Sequence, residues 1–283
     1  MAFQTFLAAG QRHSVARLAD GRVIAAGANT CGECSTGQWR DVVAVATANV
    51  HVARNTGRAH TLGLRADGTV LAAGWDEAGQ CAVQGWRDVV GIAAGWRFSV
   101  GLRGDGTLVT AGRGTEGQLD VAQWRDVVAV SCGDWHTVAL FGDGTAGATG
   151  SNAMGQCAVD SWGEMRCVAA GYLHTLGLTR QGRVRVVGPA EFWAGSEEWT
   201  DVVAVAAGSY HSVGLTARGD VVAVGRSDFG QCAVGEWCDI IAVAAGALHT
   251  LGLRADGKVL SAGSDEYGQR QVGSWQLAAL CAR

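Results

Sequence analysis

The sequence predicts an all-β protein, a seven-bladed β-propeller closed by a terminal strand. Three observations carry that prediction. Tryptophans Trp39, Trp86, Trp124, Trp162, Trp199, Trp237 and Trp275 recur at intervals of 47, 38, 38, 37, 38 and 38 residues. A G-x-x-H turn recurs in register with them, at Gly10/His13, Gly57/His60, Gly133/His136, Gly171/His174, Gly208/His211 and Gly246/His249; the third copy has Gly95 but Phe98 in the histidine place. Between these marks lie short apolar runs separated by glycine turns, as in Val202–Ala207, His211–Thr216 and Val221–Val224. Such runs are strand signals, and a period near 38 marks a repeat architecture.

A ring explains the pattern better than a stack. Each small sheet has two apolar faces, and radial packing covers both while leaving only short edges. A stacked solenoid needs polar capping repeats, whereas both ends here read as partial repeats. The first run of each copy, rich in valine and alanine and ending in glycine, suits the crowded innermost position.

In order, the single domain 1–283 divides into copies at about 3–39, 40–86, 87–124, 125–162, 163–199, 200–237 and 238–275, with a closing segment 276–283. Copy one has a weak first strand, Thr5 to Ala9. Copy two carries extra residues, Thr47 to Asn55, which lengthen its period. Copies three and four are regular. Copy five departs most, with Glu164-Met165-Arg166-Cys167 at its start, the one proline, Pro189, and Ala194-Gly195-Ser196 in place of G-Q-C. Copies six and seven lie nearest the consensus. Leu277 to Cys281 reads as the opening strand of an eighth copy, the remnant expected where one terminus completes a blade begun by the other.

Composition narrows the class. The 283 residues carry a net charge of −4 and no basic run, which argues against a nucleic-acid or anionic-membrane partner. No apolar run approaches the roughly 20 residues that cross a bilayer. The apolar start, MAFQTFLAAG, matches the first strand of a repeat, so it reads as structure and not as a signal peptide. Forty-three glycines suit a chain of many tight turns.

The meander sorts residues onto two faces. G-x-x-H turns and G-Q loops share one, D-G turns and Trp-to-Asp crossovers the other. The second face is uniform, as turn chemistry requires: Ala66-Asp67-Gly68, Gly142-Asp143-Gly144, Ala255-Asp256-Gly257. The first face is varied and collects the remaining aromatics. Trp96, Trp135, Tyr172 and Tyr210 fall in G-x-x-H turns, and Trp75, Phe192, Trp193, Phe229 and Tyr267 in the loops after the third strand. Arg12, Arg58 and Arg97 mark three consecutive turns. Aromatics and arginine dominate interface hot spots, so these twelve are the candidate partner-binding residues. The competing reading is that some of them fold over the blades and pack.

The core A-A-G-x-x-H-[ST]-x-x-L-x-x-[DG]-G-x-[VL], followed by G-x-x-x-x-G-Q, resembles the repeat of the regulator-of-chromosome-condensation family. It is closer to the compact bacterial branch that includes β-lactamase inhibitor protein II. That resemblance implies the propeller fold over the whole chain, and aromatic loop residues that grip a protein partner. The insertions and basic tail with which the eukaryotic exchange factor engages a small GTPase and chromatin have no counterpart here.

Six of seven histidines occupy one repeat position, which favours a structural role; ring symmetry would spread them too far apart to share a metal. His51 lies outside the pattern. Cys34, Cys81, Cys157 and Cys232 fill one place on different blades, with Leu119 and Arg270 there in copies three and seven. The Cys31-Gly32-Glu33-Cys34 spacing is then weak evidence for zinc, and free, mostly buried thiols fit a reducing interior. No G-x-S-x-G, phosphate loop or H-E-x-x-H occurs. The expectation is a non-enzymatic, cytoplasmic protein-binding scaffold without metal or cofactor. The alternative is a carbohydrate-binding protein or an enzyme with its site at the central mouth of the same face.

Overall fold

The computed structural model describes residues 5–48, 51 and 58–277. Seven three-stranded antiparallel sheets follow one another in chain order, each a simple meander. Their first strands are Leu7–Ala9, Val42–Thr47, Val89–Gly95, Val127–Cys132, Met165–Ala170, Val202–Ala207 and Ile240–Ala245. The second strands are His13–Arg17, His60–Arg65, Phe98–Arg103, His136–Phe141, Thr175–Thr179, His211–Thr216 and His249–Arg254. The third strands are Val23–Gly27, Val70–Gly74, Leu108–Gly112, Ala146–Gly150, Val184–Val187, Val221–Gly225 and Val259–Gly263.

First strands neighbour first strands all the way round, so the valine-alanine runs are innermost. The second strand is buried at both parities, as in His60–Leu64, because a neighbouring blade covers each face of the sheet. Hence its side chains do not alternate in burial as a one-sided sheet would.

The ring closes where Leu7–Ala9, the inner strand of blade 1, lies against blade 7. Leu7, Ala9 and Ala16 share a core cluster with Leu251, Leu253, Trp275 and Leu277. The N-terminus therefore takes the inner place. At the other end, the Leu277 N–H donates to the Gly257 carbonyl (2.8 Å), just as that of Ile240 does to Gly219 (3.0 Å). Leu277 thus stands where a next blade would begin; the rest of the closing segment lies outside the described residues.

The repeated tryptophan is an inter-blade contact. Trp39 packs against Gly63 of blade 2, where an added Cβ would sit 2.7 Å from its ring. Trp86, Trp162, Trp199 and Trp237 meet Gly101, Gly177, Gly214 and Gly252 in the same way. Each crossover then passes through one residue with positive φ, Asp41, Asp88, Asp126, Glu164, Asp201 or Asp239, all between 55° and 59°. A β-bulge follows, as between Val202 and Ala204, and sets the first strand into register.

The six repeat histidines form a buried belt. Each Nε2 faces the hydroxyl that follows the equivalent position in the next blade: His13 to Thr61 (2.9 Å), His60 to Ser99 (2.8 Å), His136 to Thr175 (2.9 Å), His174 to Ser212 (3.3 Å), His211 to Thr250 (2.8 Å) and His249 to Ser14 (2.9 Å). Each hydroxyl donates to a backbone carbonyl of the preceding blade, such as Thr61 to Glu33 (2.7 Å) and Thr250 to Gln231 (2.8 Å). With its proton committed there, it accepts from the imidazole, which fixes the Nε2–H tautomer. Burial holds these histidines well below their usual value, at about 4 for His13, His136 and His211 and about 3 for His60, His174 and His249. They are neutral inter-blade pins.

The cysteines are also local ties. Cys34, Cys81, Cys157 and Cys232 each direct Sγ to the backbone carbonyl six residues back. Desolvation pushes the Cys34 and Cys81 thiols up to about 12 and Cys157 to about 11, so they are poor nucleophiles. The expectation of mostly buried thiols is corrected: only Cys81 and Cys132 of the eight described are buried, and Cys238 is exposed. No helix among the described residues is long and apolar enough to cross a membrane.

Candidate functional site

Backbone hydrogen bonds place the two faces as the meander requires. In six of the seven blades the residue after the third strand donates to the residue before the repeat histidine, or before Phe98 in blade 3: Ala28 to Arg12, Trp75 to Ala59, Arg113 to Arg97, Ser151 to Trp135, Arg226 to Tyr210 and Ser264 to Leu248. G-x-x-H turns and G-Q loops are thus tied together at one end of every such blade. At the other end, the N–H of Val42 donates to Gly21, that of Val89 to Gly68 and that of Val202 to Gly182.

The G-Q loops present one residue outward from a fixed frame. The glutamine is buried, and the backbone N–H two residues earlier donates to its Oε1: Ala78 to Gln80 (3.1 Å), Glu116 to Gln118 (3.0 Å), Met154 to Gln156 (2.9 Å), Phe229 to Gln231 (3.1 Å) and Tyr267 to Gln269 (2.9 Å). Three of these pinned residues are large and apolar, and they are exposed: Met154 at 54%, Phe229 at 52% and Tyr267 at 38%. Blade 5 breaks the pattern. After Pro189 it forms 3-10 turns at Ala190–Phe192 and Ser196–Glu198, and the Phe192 carbonyl takes the Ser212 hydroxyl bond (2.9 Å) that a glutamine carbonyl, or that of Glu33 in blade 1, takes elsewhere.

At the mouth of the ring the first G-x-x-H residues converge. His51, from the copy-two insertion, stands among them and is buried. Its ring stacks on Tyr172 (centroids 4.7 Å apart, 17° between planes) and meets Trp135 (5.3 Å) and Trp96 (5.7 Å) edge to face. Its Nδ1 lies 2.5 Å from Oδ2 of Asp134, which also accepts the His51 backbone N–H (3.0 Å). From blade 1, Gln11 Nε2 donates to the His51 carbonyl (2.8 Å). Asp134 is wholly buried, and desolvation holds its carboxyl above the usual range against the opposing pull of its contacts with His51. Burial raises the Tyr172 hydroxyl too, helped by the charge of Asp134.

The aromatic candidates form a chain around this centre. Trp96 meets Trp135 (5.8 Å), Trp135 meets Tyr172 (5.5 Å), Tyr172 meets Tyr210 (5.7 Å) and Tyr210 meets Phe192 (5.7 Å). The arginines lie over rings: Arg97 over Trp96 (4.3 Å) and Trp75 (4.7 Å), Arg58 over Trp75 (5.7 Å), and Arg12 over Tyr267 (4.4 Å). Arg97 has a positive φ, 66°, unusual for a residue other than glycine.

The twelve candidates therefore separate by burial. Trp75, Phe192 and Tyr210 are buried and support the face from within. Trp96, Trp135, Tyr172, Trp193, Arg12 and Arg97 are half-buried, with the Trp193 indole N–H on the Gly188 carbonyl (3.0 Å). Arg58, Phe229 and Tyr267 are exposed. The sequence reading passed over Met154, although its register with Phe229 and Tyr267 marks it. It also left His51 without a partner and did not single out Asp134, the acid inside a G-x-x-H turn.

Residues 5–33, 89–118, 127–156, 202–231 and 240–269, more than half of the chain, match the model of the regulator of chromosome condensation (RCC1) repeat. Copies two and five, which carry the insertion and the 3-10 turns, fall outside those matches. No curated protein matches the sequence. Among solved structures, Prp20p of Saccharomyces cerevisiae is similar at 19% identity and TM-score 0.65, over 85% of this chain and 80% of that one. The ectodomain of the Arabidopsis thaliana receptor kinase ACR4 is similar at 17% identity and TM-score 0.69, over 91% and 95%. The BP39L lectin of Burkholderia pseudomallei is similar at 14% identity and TM-score 0.58, over 98% and 100%. At these identities the likeness is one of fold. The repeat matches and the seven-bladed ring agree, and the chain belongs to the regulator of chromosome condensation repeat family.

Proposed function

We propose that this propeller is a non-catalytic scaffold that holds a protein partner on the face of its G-x-x-H turns and G-Q loops. One observation carries the reading: Met154, Phe229 and Tyr267 stand exposed at the same loop position on three blades, each with its backbone fixed by a buried glutamine. Large apolar side chains on a rigid frame bury area at a partner with little loss of loop entropy. The half-buried rings of Trp96, Trp135 and Tyr172 lie inside this rim, where hot-spot residues of an interface concentrate. The similar Prp20p of Saccharomyces cerevisiae has binding properties to Gsp1p and histones.

A second reading has its own support. Asp134 is a buried acid at the central mouth beside stacked aromatic rings, a setting that suits a sugar or a reacting group. The similar BP39L is a lectin.

Affinity capture from cell lysate separates the two, with the intact protein and its Met154→Ala/Phe229→Ala/Tyr267→Ala variant as baits. A protein held by the first and released by the second, at equal melting temperature, supports the scaffold. Identical capture by both baits counts against the rim and turns attention to glycans at the mouth.

A further inference from the structure

The cluster at the mouth has a chemistry that packing alone does not call for. Trp96, Trp135 and Tyr172 come from three successive blades, with neighbouring ring planes 71° and 64° apart, and together they wall one space. The imidazole of His51 fills it, with ring centroids 4.7 to 5.7 Å away. A pocket built only to bury an anchor would have an apolar floor. Here the floor is the carboxylate of Asp134, wholly enclosed, and its Oδ1 has no partner among the described residues. Among the described residues its other oxygen is held by His51 alone, through the backbone N–H and Nδ1. Aromatic faces carry negative potential, and the Arg97 guanidinium already lies over Trp96 (4.3 Å), so the cup, with Asp134 ionised beneath it, selects positive charge over a neutral group of equal shape.

We propose that the cup of Trp96, Trp135 and Tyr172 over Asp134 is a binding cage for a monovalent organic cation of the alkylammonium or guanidinium class, and that the ring of His51 occupies its place in this chain. All three rings lie within the roughly 6 Å over which a cation is attracted to an aromatic face. An external cation competes with His51 for the same space. It can come from a free quaternary ammonium compound or from a methylated lysine in a peptide, since both offer the same group. Met154, Phe229 and Tyr267 take no part in the cage, so the inference goes beyond the scaffold reading and its test is independent of lysate capture.

The test uses the full chain with His51→Ala, titrated calorimetrically with choline, with its neutral isostere 3,3-dimethylbutan-1-ol, and with a short peptide carrying trimethyl-lysine. Choline, the peptide or both should bind at least tenfold more tightly than the isostere. Which of the two binds identifies the source, and His51→Ala/Asp134→Asn should lose the preference. Equal affinity for cation and isostere, or no binding of either cation, overturns the proposal. Should His51→Ala fail to fold, the occupant itself can be exchanged. The cage requires His51→Lys to melt at a higher temperature than His51→Met, and the reverse order overturns it.

Discussion

His249 of blade 7 holds Ser14 of blade 1 across the closure of the ring, with Nε2 2.9 Å from Oγ although 235 positions separate them. The Ser14 hydroxyl also donates to the Gln269 carbonyl (2.8 Å), so one oxygen joins the first blade to the last in both roles. Ser14→Ala leaves a buried N–H and a buried carbonyl unmatched. The expected cost is about 1–3 kcal/mol, read as a lower urea midpoint. Ser14→Thr should be nearly neutral, because Thr61, Thr175 and Thr250 hold both bonds elsewhere. Equal losses for alanine and threonine would mean that shape, and not the hydrogen bonds, closes the ring.

The histidine belt makes stability depend on pH. Each of the six has a folded value near 3 or 4, against an ordinary value of 6.5. A depressed histidine contributes stability that is fully present above 6.5. As pH falls through 6.5 toward 4, the unfolded chain takes up protons that the folded one refuses, and that stability is lost. The slope is about 1.4 kcal/mol per pH unit for each histidine, on the order of 8 for six. Asp134, raised by burial, acts in the opposite sense but is one group against six. Unfolding is therefore expected near pH 5, with urea midpoints falling steeply from pH 7. His136→Phe, which imitates the buried Phe98 of blade 3, should reduce the measured proton uptake by about one. An unchanged uptake would show that His136 titrates normally in the folded chain.

Much of this molecule was legible because repetition multiplies weak signals. The tryptophan spacing, the G-x-x-H turn and the D-G turn fixed blade number, strand order and the two faces, each confirmed by inter-strand hydrogen bonds. What repetition did not carry was whatever happens once. His51 has no equivalent in other blades, so no register assigned it a place, and its partner Asp134 lies 83 positions away. Burial of single aromatics was hidden for a related reason. Phe192 reads as a loop aromatic, yet its copy lacks the G-Q segment and its side chain turns inward against His174 and Tyr210.

Glu164 is a site for stabilisation. It holds φ at 59°, a place taken by aspartate at every other crossover with a positive φ. Short side chains tolerate this region better than a glutamate does. The one side-chain hydrogen bond it makes among the described residues, from Gln181 (3.0 Å), is exposed and contributes little. Glu164→Asn should raise stability by about 0.5–1 kcal/mol, seen as a rise in melting temperature. A fall would assign the Gln181 contact more than its exposure suggests.

Two phenylalanines of the candidate face give the sharpest contrast. Phe229 is 52% exposed and Phe192 only 3%. Truncation of Phe192 empties a site packed against His174 and Tyr210. Phe192→Ala should therefore cost about 3–5 kcal/mol. Phe229→Ala removes a side chain that water already surrounds, so stability should change by no more than about 0.5 kcal/mol. If Phe229 is a contact residue, its variant loses the partner while melting at the wild-type temperature. Phe192→Ala would lose the partner only along with the fold, which repeated capture below its lowered melting point would reveal. A large stability loss from Phe229→Ala would instead mean that the loop folds over in solution, and the rim would then offer one anchor fewer than the three that carry the scaffold reading.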